Sequence, residues 1–107
     1  MLSVNERRLK IPREEPVPLS VSVVIPVYNG AATVGTLEDA IVRLNPGHAL
    51  QVVLVNDGSL DGSEMSCRAL ARRFPGVVTF VDLARRVGEH NAVMAGLAHA
   101  RGAWCVI

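Results

Sequence analysis

Four short apolar runs rich in branched residues, at 21–27 (VSVVIPV), 50–55 (LQVVLV), 77–83 (VVTFVDL) and 103–107 (AWCVI), recur along the sequence, and segments of a different period separate them. Continuous runs of this kind, without polar alternation, suit strands covered on both faces of a parallel sheet. Between the first two, Val34, Leu37, Ile41 and Leu44 repeat at helical spacing until Asn45-Pro46-Gly47, although Gly35 weakens that helix by about 1 kcal/mol relative to Ala. Between the second and third, Cys67, Leu70, Ala71 and Phe74 form an apolar face, Asp61 with Glu64 resembles a capping box, and Pro75-Gly76 ends the helix. A third helix carries Val93, Gly96, Leu97 and Ala100, with Gly102 as its expected stop. The order βαβαβαβ with short links predicts an α/β, Rossmann-like parallel sheet with right-handed crossovers and helices on both faces.

At 107 residues, half of them apolar, the chain can bury one core and no second domain. Residues 1–20 are polar, contain Pro12, Pro16 and Pro18, and read as an extended arm, leaving 21–107 as the folded unit. Eleven basic residues against ten acidic ones give a net charge of +1, which supplies no electrostatic argument for a nucleic-acid partner. No run approaches the roughly 18 apolar residues of a membrane span, and the arm lacks a signal peptide's apolar centre. Cys67 and Cys105 are expected to be reduced core thiols in a cytoplasmic protein.

Open parallel sheets bind ligands beyond the carboxyl ends of their strands, so the residues that follow each apolar run are the candidates. After the first run stand Pro26, Val27 and Tyr28, then Asn29-Gly30 for a tight turn. Tyr28 is placed either to lay its ring on a planar base or to pack over the strand end. After the second run, Asp57 can accept hydrogen bonds from a base or a ribose hydroxyl, or it can bond its own turn, whereas Asp61 is read as a helix cap. The third loop holds Arg85, Arg86, Gly88, Glu89 and His90, a set in which arginine can meet phosphate and glycine lets backbone amides approach it. His90, His48 and His99 have no Ser, Cys or metal partner at a meaningful spacing, and no catalytic residue is assigned. Neither G-x-x-x-x-G-K-[ST] nor G-x-G-x-x-G after the first strand occurs, which disfavours an ordinary P-loop or dinucleotide fold.

VSVVIPVYNG, VVLVNDGSLDGS and RRVGEHNAVMAGLAHARG, in that order and at those strand ends, together resemble the opening half of family 2 glycosyltransferases of the GT-A fold, nearest the polyprenyl-phosphate (dolichyl-phosphate mannose synthase-like) branch. The resemblance runs from Val21 to Ile107. It implies a nucleotide pocket lined by Pro26, Val27, Tyr28, Asp57, Arg85 and Gly88, with Arg86, Glu89 and His90 near the donor sugar. Two departures stand out: Gly30 where that branch usually has Glu, and Arg86-Val87 where it usually has Asn and an aromatic residue.

By the same resemblance, the expected reaction is inverting transfer of a sugar from a UDP- or GDP-sugar to a hydroxyl or a polyprenyl phosphate. The family's Asp-x-Asp motif, which follows the fourth strand and holds Mg or Mn, has no counterpart up to Ile107. No cofactor site is therefore expected in these residues, although full-length relatives use a divalent metal and can be membrane-associated. The isolated chain is expected to bind nucleotide weakly, to lack activity, and to form a homodimer through its exposed fourth strand. The alternative is a non-catalytic α/β module that binds a nucleotide or a protein.

Overall fold

The branched runs become strands where their composition predicts them: β1 (Ser20–Val27), β2 (Ala49–Asn56), β3 (Val78–Asp82) and β4 (Trp104–Val106). This computed structural model describes residues 20–44 and 49–107. The arm expected over 1–20 thus lies, except for Ser20, outside the described residues, as do the Asn45-Pro46-Gly47 stop and His48. All strand pairs are parallel, in the order β3-β2-β1-β4. Register aligns three strand ends, since Val27 pairs with Asn56 and Asn56 with Asp82.

Helices α1 (Ala31–Gly35), α2 (Leu37–Leu44) and α3 (Ser63–Arg73) share one face of the sheet, and α4 (Glu89–Leu97) takes the other. Right-handed crossovers require this division. The chain steps outward from β1 to β2 to β3 with its helices on one side, then returns past β1 to β4 with its helix on the opposite side. The period of two along β2 feeds both cores. Val52 and Leu54 meet Val34, Ile41, Cys67 and Leu70, whereas Val53 and Val55 meet Val24 and Ala92. Burying such a side chain contributes about 1.5–3 kcal/mol, so β2, buried from Gln51 to Asn56, is the axis of the domain. On the α4 side a Cβ at residue 96 would lie 2.5 Å from Val24 Cγ1 and 2.8 Å from Val55 Cγ2, so Gly96 is what lets this helix lie against the sheet.

Four local expectations are corrected. The first helix divides at Thr36, whose backbone N–H and hydroxyl both donate to the Thr33 carbonyl, and Leu44 is left exposed at the end of the stripe. The capping box does not form: Gly62 is the N-cap of α3, Asp61 Oδ1 accepts from the Ser63 amide at 2.8 Å and from its hydroxyl, and Glu64 pairs forward with Arg68 at 2.9 Å. Helix α4 stops at Leu97, well before Gly102. Gly102 serves instead a close crossing of chains, because a Cβ there would fall 2.7 Å from Ser22 N, and its own amide donates to Ser22 Oγ at 2.8 Å. Finally, only Cys67 is a core thiol, with burial pushing its pKa up to about 11; Cys105 is exposed on the edge strand β4.

Candidate functional site

The aligned ends of β1, β2 and β3 deliver Tyr28, Asp57 and Leu83 to one edge of the sheet. Asp57 is only 2% exposed, and a buried carboxylate must find partners. Its Oδ1 accepts from the Val87 amide at 2.7 Å and its Oδ2 from the Gly88 amide at 3.1 Å, while Arg86 Nε stands 3.8 Å from Oδ2. The carboxylate thereby fastens the loop after β3 to the end of β2 and fixes the start of α4, of which Gly88 is the N-cap. Gly58 completes the junction. Its φ is +67°, and a Cβ would lie 2.5 Å from Arg86 N, so the two loops meet backbone to backbone.

The β1 loop is held as closely. Asn29, at φ +50°, donates its amide to Ser59 Oγ at 3.0 Å and accepts the Leu60 amide on Oδ1 at 2.8 Å. Ser59 Oγ donates to Asn56 Oδ1 at 2.6 Å, and Asn56 Nδ2 donates to Asp82 Oδ1 at 2.9 Å, so one polar chain crosses from β1 to β3. The Gly30 amide donates to Ser63 Oγ at 2.9 Å, and Ser63 leans on Asp61. Those two bonds from Ser63, hydroxyl first, hold the Asp61 carboxyl below its usual pKa.

Two clefts open above this scaffold. A cleft of about 310 Å³ is lined by Pro26, Val27, Tyr28, Asp57, Arg86 and Glu89. Beside it, a cleft of about 520 Å³ is lined by Asn56, Ser59, Asp82, Arg85 and neighbours, and again by Tyr28 and Arg86. The Arg86 guanidinium lies 3.7 Å above the Tyr28 ring centroid. Six of the nine residues singled out in the sequence therefore share the smaller cleft, and Arg85 lines the larger. Gly88 contributes through its amide on Asp57, whereas His90 is exposed and lines neither cleft. Sequence reasoning missed Asp82 and the cross-bonding of Asn29 with Ser59. Asp82 was legible as the polar residue at the strand end level with Asn56; the Asn29 pairing depends on how the loops meet and left no signal. A third depression, of about 450 Å³, lies at the amino ends of the strands near Gln51 and Arg101, away from the acid and arginine cluster.

Among the described residues, no three His, Cys, Asp or Glu side chains converge to hold a metal ion. No described helix is long and apolar enough to cross a membrane.

The model of the family described as "Glycosyl transferase family 2" matches residues 22–107. The undecaprenyl-phosphate 4-deoxy-4-formamido-L-arabinose transferase of Pseudomonas aeruginosa (strain LESB58) is 43% identical over 93 residues, covering 82% of this chain and 27% of the relative. Its namesake from Shewanella sediminis is 39% identical over 84 residues, covering 77% and 25%. A mannosyltransferase from Pyrobaculum calidifontis, solved in complex with GDP-Man and Mn2+, superposes with a TM-score of 0.69 at 32% identity, over 80% of this chain and 26% of that one. The chain thus spans about a quarter of the length of these relatives. The α/β architecture is that of a GT-A glycosyltransferase.

Proposed function

The chain belongs to glycosyl transferase family 2, and from that premise we propose that residues 21–107 are the nucleotide-sugar-binding part of an inverting glycosyltransferase. The observation that carries the proposal is the convergence of Pro26, Val27, Tyr28, Asp57, Arg86 and Glu89 on one cleft at the carboxyl edge of a parallel sheet, where such folds take their ligands. The donor is a UDP- or GDP-sugar. Tyr28 supplies an aromatic wall for the base, and Asp57 fixes the amides of Val87 and Gly88 and so shapes the pocket floor. Arg85 and Arg86 meet the diphosphate, and Glu89 faces the donor from the first turn of α4. Transfer proceeds by direct displacement at the anomeric carbon, with the nucleoside diphosphate leaving. The names of the relatives favour a polyprenyl phosphate over a simple hydroxyl as acceptor.

Mg or Mn is expected in full-length relatives. The residues described here do not fit such an ion, so any neutralisation that this chain itself provides falls to Arg85 and Arg86. We assign no catalytic residue within the 107 and expect turnover to need further segments like those that make up the rest of the longer relatives. Two unpaired cysteines accord with a cytoplasmic location.

An NMR titration of the labelled chain with UDP, GDP and CMP, each with and without manganese, tests the reading. Localised shifts at Tyr28, Val87 and Gly88 with one nucleotide support it and identify the base. An absence of shifts with all three refutes it.

A further inference from the structure

One face of the Tyr28 ring is already covered. The Arg86 guanidinium lies 3.7 Å above the ring centroid, within stacking distance, and its Nε is 3.8 Å from Asp57 Oδ2. The two clefts share Tyr28 and Arg86 and no other residue, so this stacked pair is the wall between them. That wall is unequal in strength. Tyr28 stands on a loop cross-bonded through Asn29 to Ser59 and Leu60, whereas the Arg86 side chain is 54% exposed, and its tie to Asp57 lies beyond hydrogen-bonding distance. The arginine is thus the movable half.

We propose that Arg86 is a nucleotide-responsive arm: in the free chain it occupies the base-stacking face of Tyr28, and on binding it leaves that face and pairs with the donor's diphosphate. The inference rests on the donor-site reading above and adds a selectivity to it. A bare nucleoside must displace the arm without compensation. A nucleoside diphosphate displaces it and then engages its charge, so the protein discriminates by the phosphates as well as the base. When the arm withdraws, the two clefts become one along the ends of β1, β2 and β3, which brings the site further into the size range usual for small-molecule pockets. No bond is made or broken in this step; one cation exchanges a ring face for an anion.

The experiment compares the wild-type chain with Arg86→Ala and Arg86→Lys, titrating uridine against UDP and guanosine against GDP. NMR follows the Arg86 Nε–Hε and Tyr28 ring resonances. In the free wild type, the Arg86 Hε resonance should carry an upfield ring-current shift, and the nucleotide should abolish it. Losing an exposed cation–π contact of about 0.5–1 kcal/mol should tighten nucleoside binding to Arg86→Ala by about two- to five-fold, while its affinity for the diphosphate falls. Arg86→Lys keeps the charge without the planar stack and should gain nucleoside affinity while retaining most of the diphosphate affinity. Dispersed amide spectra establish that both variants are folded. Nucleotide binding with the ring-current shift unchanged, or an equal loss of nucleoside and diphosphate affinity in Arg86→Ala, overturns the arm and leaves the donor site standing. Failure of all three proteins to bind any of the four ligands overturns both.

Discussion

Replacing Gly58 by Ala probes the junction on which the whole site rests. Two costs are involved. At φ +67° an L side chain is strained by about 1–2 kcal/mol, and the same strain applies at Gly76, where φ is +84°. The second cost is particular to residue 58. A Cβ there would sit 2.5 Å from Arg86 N and 2.9 Å from Arg85 C, whereas at residue 76 nothing lies within 4 Å. Reaching ordinary contact requires the Arg86 backbone to retreat by roughly 1 Å, and overpacking of this kind costs about 1–3 kcal/mol. The retreat also draws the Val87 amide away from Asp57, which is bonded at 2.7 Å and only 2% exposed, and stranding a buried acceptor costs about 1–3 kcal/mol more. Alanine reduces unfolded-state entropy equally at both positions, so that contribution cancels between the variants. Urea unfolding followed by far-ultraviolet circular dichroism should therefore place Gly58→Ala at least about 1–3 kcal/mol below Gly76→Ala. The Val87 amide resonance should shift in the first variant and not in the second. Equal stabilities within about 0.5 kcal/mol, with the Val87 amide unmoved, would refute the backbone-to-backbone junction.

The second close approach makes a parallel case: Gly96→Ala drives a methyl against Val24 and Val55 and should cost about 1–3 kcal/mol in urea unfolding, with part recovered when Val24→Ala is added. Because the Ser63 bonds depress the folded pKa of Asp61, its contribution is present above the unfolded value near 3.8 and is lost as pH falls through the lower folded value; Asp61→Asn should flatten the acid limb of stability against pH. For Cys67 the sign is opposite: its folded pKa is raised from 9.0 to about 11, so its contribution is intact below 9 and lost as pH rises through 11, and at pH 8 a thiol reagent should label exposed Cys105 promptly and Cys67 only on unfolding. Edge strand β4 leaves Trp104 and Val106 exposed, and we propose that the chain self-associates through it; a monomer at high concentration in sedimentation equilibrium would count against this.

Much of the architecture was legible because strand and helix leave different periods in the sequence. The unbroken apolar run of β2 and the Val34–Ile41 and Cys67–Leu70 spacings announced a doubly covered parallel sheet. What failed did so where local pattern and tertiary contact compete. Gly102 looked like a helix stop, yet it is small because the chain crosses Ser22 at that point. Cys105 looked like a core residue because it sits in an apolar run, but among the described residues β4 lies at the edge of the sheet and Cys105 is exposed on it. At the candidate site, the residues that the strand-end rule singled out, Tyr28, Asp57 and Arg86, line one cleft, but composition carries no record that an arginine from one loop lies on the tyrosine of another.

The strand order β3-β2-β1-β4 also bears on how the molecule comes into being. A polypeptide emerging amino end first has delivered β1, β2 and β3, together with Tyr28, Asp57 and Gly88, before Trp104 is synthesised. Since β4 joins the outer edge of β1 instead of inserting between strands already paired, nothing laid down earlier has to part to admit it. The walls of the clefts can thus assemble before β4 docks, and β4 arrives as an addition to strands already paired.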